Sequence, residues 1–99
     1  MEKDNFKTDV IFRVDTSKNW KGTVYALFPH DAERSGFVTT YQHIGQHSSA
    51  DYHHCIATSR LATESEYKEL KSELEQLGYD LNVVKKQNRT KYLRTYYLN

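Results

Sequence analysis

Thr63-Glu-Ser-Glu-Tyr67-Lys-Glu-Leu-Lys-Ser-Glu-Leu-Glu-Gln-Leu77-Gly78 carries a start, a stripe and a stop for one helix. The Thr63 hydroxyl can accept an N–H of the first turn while Glu66 reaches back to the Thr63 N–H, a capping box. Behind it Tyr67, Leu70, Leu74 and Leu77 recur every three or four residues and form one apolar stripe. Glu64–Lys68 and Lys71–Glu75 make i, i+4 pairs on the wet side. Gly78 supplies the left-handed stop, and Tyr79 can fold back on the last turn. The spacing predicts a helix over about 64 to 77 that must hide its stripe against another layer.

The flanking segments read as that layer. Val10, Phe12 and Val14 alternate with Ile11 and Arg13, a strand with two distinct faces. Thr23 to Phe28 is apolar on both faces, as a central strand is, and Pro29 is expected to end it. His30 to Gly36 is polar and reads as a loop; Phe37 to Tyr41 is β-branched and aromatic, a third strand. Tyr52 to Thr58 reads as a fourth. Beyond the helix, Leu81 and Val83 mark a strand, Lys86 to Thr90 a turn, and Lys91 to Leu98 a last strand. The expectation is an α+β fold: one amphipathic helix packed on a small, mostly antiparallel sheet, order β-β-β-(β)-α-β-β. It forms a single domain over 1–99, with residues 1–8 as a flexible arm. Trp20, in the turn after the first strand, reads as a lid over one end of the core.

Composition narrows the function classes. Fourteen Lys and Arg against thirteen Asp and Glu leave a net charge of +1, which selects no partner class. Eight Tyr, four Phe and Trp20 argue against disorder. A single cysteine forms no internal disulfide, and that fits a reducing compartment. No apolar run approaches the roughly 20 residues that cross a bilayer, and no signal-peptide pattern is present. The expected location is cytoplasmic, with no membrane contact.

Chemically, the block Tyr41-Gln-His43-Ile-Gly45-Gln-His47-Ser-Ser-Ala-Asp51-Tyr-His53-His54-Cys55 stands out, with four of the five histidines and the only cysteine. Gly45 between His43 and His47 disfavours a helix there, so residues 42–55 are expected to begin as a loop or irregular turn. Four readings of the block stand side by side. His43, His47, His53 (or its neighbour His54) and Cys55 have the ligand types zinc takes, although no CxxC or HExxH spacing is present. Cys55 beside an imidazole, or Ser48 or Ser49 beside His47, has the ingredients of a nucleophile and base. The block is also suited to hydrogen-bonding its own backbone. Finally, Tyr41, Gln46, Asp51 and Tyr52 can present a polar docking surface with aromatic anchors.

The C-terminal segment differs in charge. Lys85, Lys86, Arg89, Lys91 and Arg94 are interleaved with Tyr92, Tyr96 and Tyr97. On a hairpin, that mixture suits phosphate contact and base stacking, or simple protection of a sheet edge by lysines.

Ala26-Leu-Phe28-Pro29, Tyr41-Gln-His43-Ile-Gly45-Gln-His47-Ser-Ser-Ala50, Ala62-Thr63-Glu-Ser-Glu66-Tyr67 and Leu77-Gly78-Tyr79, taken together, resemble a group of small uncharacterised proteins of gut anaerobic bacteria and their mobile elements. The resemblance spans Val10 to about Lys86. It implies a bacterial origin and brings no activity, cofactor or partner; a mobile-element setting favours binding or regulation over metabolism. The reading adopted is a non-catalytic binding or regulatory module that uses loop 41–55 on another protein, with no cofactor. The alternatives are nucleic-acid binding through the basic C-terminal hairpin, and a small enzyme dependent on a metal such as zinc or on Cys55.

Overall fold

A computed structural model describes residues 7–42 and 46–98. Six strands, β1 (Thr8–Asp15), β2 (Val24–Arg34), β3 (Phe37–Gln42), β4 (Gln46–Asp51), β5 (Ser59–Leu61) and β6 (Leu81–Val83), build one sheet. Its order is β4-β3-β2-β1-β5, all antiparallel neighbours. The outer edge of β1 is shared: Arg13–Asp15 pair with β5, and Thr8–Val10 pair in parallel with β6. Of the expected arm, residues 1–6 lie outside the described residues, and Thr8 already pairs with Leu81.

The strand period sorts the side chains as expected. Phe12, Ala26 and Tyr41 are register partners in a line that ends on His47, so they share one face. Ile11 and Leu27 pair on the other. β2 is apolar on both faces because both are covered. Pro29 does not end it: β2 continues to Arg34 with register shifts between Phe28 and Ala32 and again before Arg34. At such an irregularity proline's missing N–H removes no ladder bond.

The expected single helix is corrected to three: α1 (Tyr52–Ala57), α2 (Glu64–Gln76) and α3 (Arg89–Leu98), all packed on the sheet. The helix after Thr63 forms as its pattern demands. Glu66 accepts the Thr63 N–H at 2.8 Å, Leu70 and Leu74 are buried, and Gly78 stops the chain at φ +108°. The other two replace expected strands. At α1, Asp51 accepts the N–H groups of His53 and His54 at 3.0 and 3.4 Å, an N-cap bond. Tyr52, Cys55 and Ile56 then fall at helical spacing on the sheet. At α3, the Asn88 side chain accepts the Lys91 N–H at 3.1 Å, and Tyr92 and Leu93 turn inward. Buried Arg13 holds the end of α1, donating to the Ile56 carbonyl at 3.3 Å and the Ser59 carbonyl at 2.8 Å. One face is therefore closed by α2 and the other by α1 and α3. Trp20 is 62% exposed and covers no core.

Candidate functional site

The β2–β3 turn, the start of α1 and α3 enclose a cleft of about 230 Å³. Gly36 makes the turn possible with φ +80°, a value other residues rarely adopt. Its N–H donates to the Tyr92 hydroxyl at 2.7 Å, and its carbonyl accepts the Tyr52 N–H at 3.0 Å. The Tyr52 hydroxyl in turn accepts the Gln87 N–H at 2.9 Å. Three segments distant in sequence are thus fixed to one another by directional bonds.

Around that frame stand Ser35, His53, Arg89, Tyr96 and Tyr97. Tyr96 stacks on Tyr92 with centroids 6.2 Å apart and planes 8° apart; Tyr97 meets Tyr96 edge-on at 4.9 Å. His53 stands edge-on to Tyr52 at 5.4 Å. Rings for stacking, a guanidinium, an imidazole and a hydroxyl together suit a planar group that carries an anion. The segment that supplies α3 is basic: residues 81–99 hold five basic side chains and no acidic one, and of these Arg89 lines the cleft.

Among the described residues the histidine block does not converge. His47 lies on the α2 face, its Nε2 2.9 Å from the Tyr79 hydroxyl and its ring 4.8 Å from that of Tyr41. Cys55 is buried on the opposite face. Burial pushes its thiol up, away from the thiolate form that makes a free cysteine nucleophilic. His53 is exposed at the cleft, and His43 lies outside the described residues. Among the described residues no three His, Cys, Asp or Glu side chains gather as metal ligands do. Of the expected docking surface, Asp51 is the cap of α1, and Gln46 opens β4 with its side chain outside the described set. Tyr41 is 1% exposed and its hydroxyl bonds Glu73; Tyr52 is buried as well.

The basic segment is a helix and the stretch before it rather than a hairpin, and its cations are spread: Arg89 lines the cleft, whereas Lys85 lines a separate groove with Glu64 and Tyr67. Lys85 and Lys86 are exposed before α3, and Arg89 and Arg94 are exposed on it. Lys91 is bound to Asp9 at 3.0 Å. Tyr92 is buried and forms the floor of the cleft, while Tyr96 and Tyr97 stand at its rim.

Four residues that matter had no chemical signature in the sequence: Ser35 and Gly36 in the turn, Gln87, and His30, the histidine outside the block. Gln87 donates its amide to the Pro29 carbonyl at 2.8 Å. His30 sits between Asp9 and Asn88. Asn88 did offer a signal, as an N-cap residue ahead of a Tyr92–Leu93–Tyr96 spacing. A second, wider groove of about 370 Å³ lies along α2, lined by Glu66, Glu69 and Glu73. Two of these carboxylates are already engaged, Glu66 by Arg60 and Glu73 by Tyr41.

No family model, curated protein or solved structure matches the chain. Among the described residues no helix is long and apolar enough to cross a membrane.

Proposed function

We propose that this protein is a non-catalytic binding module whose ligand is single-stranded nucleic acid, held at the cleft between α1 and α3. The observation that carries the reading is Arg89 placed with His53, Tyr96 and Tyr97 around one opening, with Arg89 and both tyrosines coming from a segment, 81–99, that has no acidic side chain. The cleft is smaller than the roughly 300–1,000 Å³ of pockets that enclose a whole small molecule. One unit of a longer strand fits that size, with a base against the tyrosines and its phosphate on Arg89. Lys85, Lys86 and Arg94, exposed on the same segment, supply the cations for neighbouring phosphates.

Four such contacts give a slope of about −3 in log affinity against log salt for a single strand. A fluorescent oligothymidylate should therefore bind about fiftyfold more weakly at 200 than at 50 mM salt. Arg89→Ala should lower that slope by about one contact. Tyr97→Ala, at a ring 74% exposed, removes up to about 1–3 kcal/mol of stacking. Binding that ignores salt, or that survives both substitutions unchanged, discards the reading. A second reading, a protein partner, rests on Leu77, which is 57% exposed beside Tyr79 and His47 at the end of α2.

A further inference from the structure

His30 touches no ligand candidate, yet both its ring nitrogens are bonded. Nδ1 lies 2.9 Å from Asp9 Oδ2, and Nε2 lies 2.7 Å from the Asn88 backbone nitrogen. A backbone N–H can only donate, so Nε2 must accept and carries no proton. Asp9 is kept ionised: burial opposes this, but hydrogen bonds from Asn82 and Lys91 prevail and hold its carboxyl below the usual range. It therefore accepts a hydrogen bond from Nδ1–H. The two bonds together fix one neutral tautomer.

What this ring holds is the start of α3. The Asn88 side chain accepts the Lys91 N–H, and its carbonyl accepts the Tyr92 N–H at 3.0 Å. Its two neighbours, Gln87 and Arg89, both line the cleft. We propose that His30 is a proton-operated latch on the nucleic-acid cleft: a second proton on Nε2 sets two donors against each other, frees Asn88 and lets Arg89 leave its position. The inference rests on the cleft reading for its consequence, and on the ring's two bonds for its mechanism.

The groups facing the ring are Asp9 from β1, Lys91 from α3, and the neutral amides of Asn82 and Asn88. Asp9 favours the imidazolium. Burial and the ammonium of Lys91, already on the same Asp9 oxygen, oppose it, and the balance lowers the ring's protonation below its ordinary range. The latch stays closed near neutral pH and opens only as pH falls below the ordinary imidazole range.

The test follows the His30 ring nitrogens and the Asn88 and Tyr92 amides by NMR between pH 7.5 and 5, without ligand, and oligothymidylate binding in parallel. As the ring takes its second proton, the Asn88 amide should lose protection. Oligonucleotide binding should weaken roughly five- to tenfold, the scale of one hydrogen bond. His30→Gln keeps an acceptor near the Nε2 position and cannot be protonated, so it should flatten the amide response; His53→Gln beside it removes the cleft's own imidazole from the binding profile. An Asn88 amide indifferent to the ring's titration, or an amide response that persists in His30→Gln, overturns the latch. Absence of oligonucleotide binding at every pH overturns the cleft reading alone, since the ring and amide signals still decide the latch.

Discussion

The two faces of the sheet are closed by different chemistry. On one, α2 lays Leu70 and Leu74 over Val10, Phe12, Ala26 and Phe28. On the other, α1 and α3 cover Ile11, Leu27 and Val38 with Tyr52, Cys55 and Tyr92. Aliphatic contacts are non-directional and leave no polar group to satisfy; on the α2 face the buried Tyr41 is the tyrosine that does need a partner, and Glu73 of α2 supplies it. Tyrosines bury a ring only if the hydroxyl finds a partner, and on the α1 and α3 face Gly36 and Gln87 supply it. The face closed by bonds retains a polar cleft with a cation at its rim. The groove along α2, by contrast, is lined by carboxylates, Glu66, Glu69 and Glu73.

The comparison breaks most readily at Leu74, which is fully buried. Leu74→Ala should cost about 2–5 kcal/mol, the transfer and cavity terms together. That is a large share of the roughly 5–15 kcal/mol that a domain of this kind holds. Denaturant titration should show a lower midpoint, while the cleft of the remaining folded molecules binds as before. Tyr92→Phe keeps the ring and removes only the oxygen that accepts the Gly36 N–H. Leaving that donor unpaired should cost about 1–3 kcal/mol and loosen the Ser35–Gly36 wall. A Tyr92→Phe cost above that of Leu74→Ala would invert the distinction between the faces.

The same division explains which parts were legible beforehand. α2 is written locally: Thr63, Glu66, the leucine stripe and Gly78 specify it without reference to anything distant. The two-face pattern of β1 and the doubly apolar β2 were equally readable, since alternation needs only neighbouring residues. α3 was not, because Lys91 to Leu98 is rich in tyrosine and threonine, which favour strands when no packing decides. What decides is Asn88 held by His30, 58 residues away in the chain. The block from Tyr41 to Cys55 misled for the opposite reason. Clustering in sequence suggested clustering in space, but β4 and α1 send His47 and Cys55 to opposite faces. Of the cleft's lining, Arg89, Tyr92 and Tyr96 belong to the basic, aromatic segment that composition marks; their meeting with His53 was not legible, since a fold contact makes it.

Acid should separate the two faces in order, and this is the smallest of the expected effects. His30 has a folded value below its ordinary 6.5, so the neutral ring's contribution is intact above 6.5 and is lost as pH falls through that lower value. On the α2 side the corresponding group is Glu66. Arg60 binds its carboxylate at 2.7 and 2.9 Å and, with the Thr63 N–H, holds it down at about 2 against an ordinary 4.5. Its contribution is intact above 4.5 and is lost only as pH falls toward 2. Because that ion pair is exposed, salt screens it and the global stability hardly registers its loss. Residue-level amide exchange resolves it, with the start of α3 opening as pH falls below the ordinary imidazole range and the first turn of α2 only well below pH 4.5. Arg60→Ala should move the α2 response up toward 4.5 and leave the α3 response in place. If both helix starts open together in the unmodified protein, the faces are not independent, and the contrast between a cap written in neighbouring residues and one assembled by the fold does not hold.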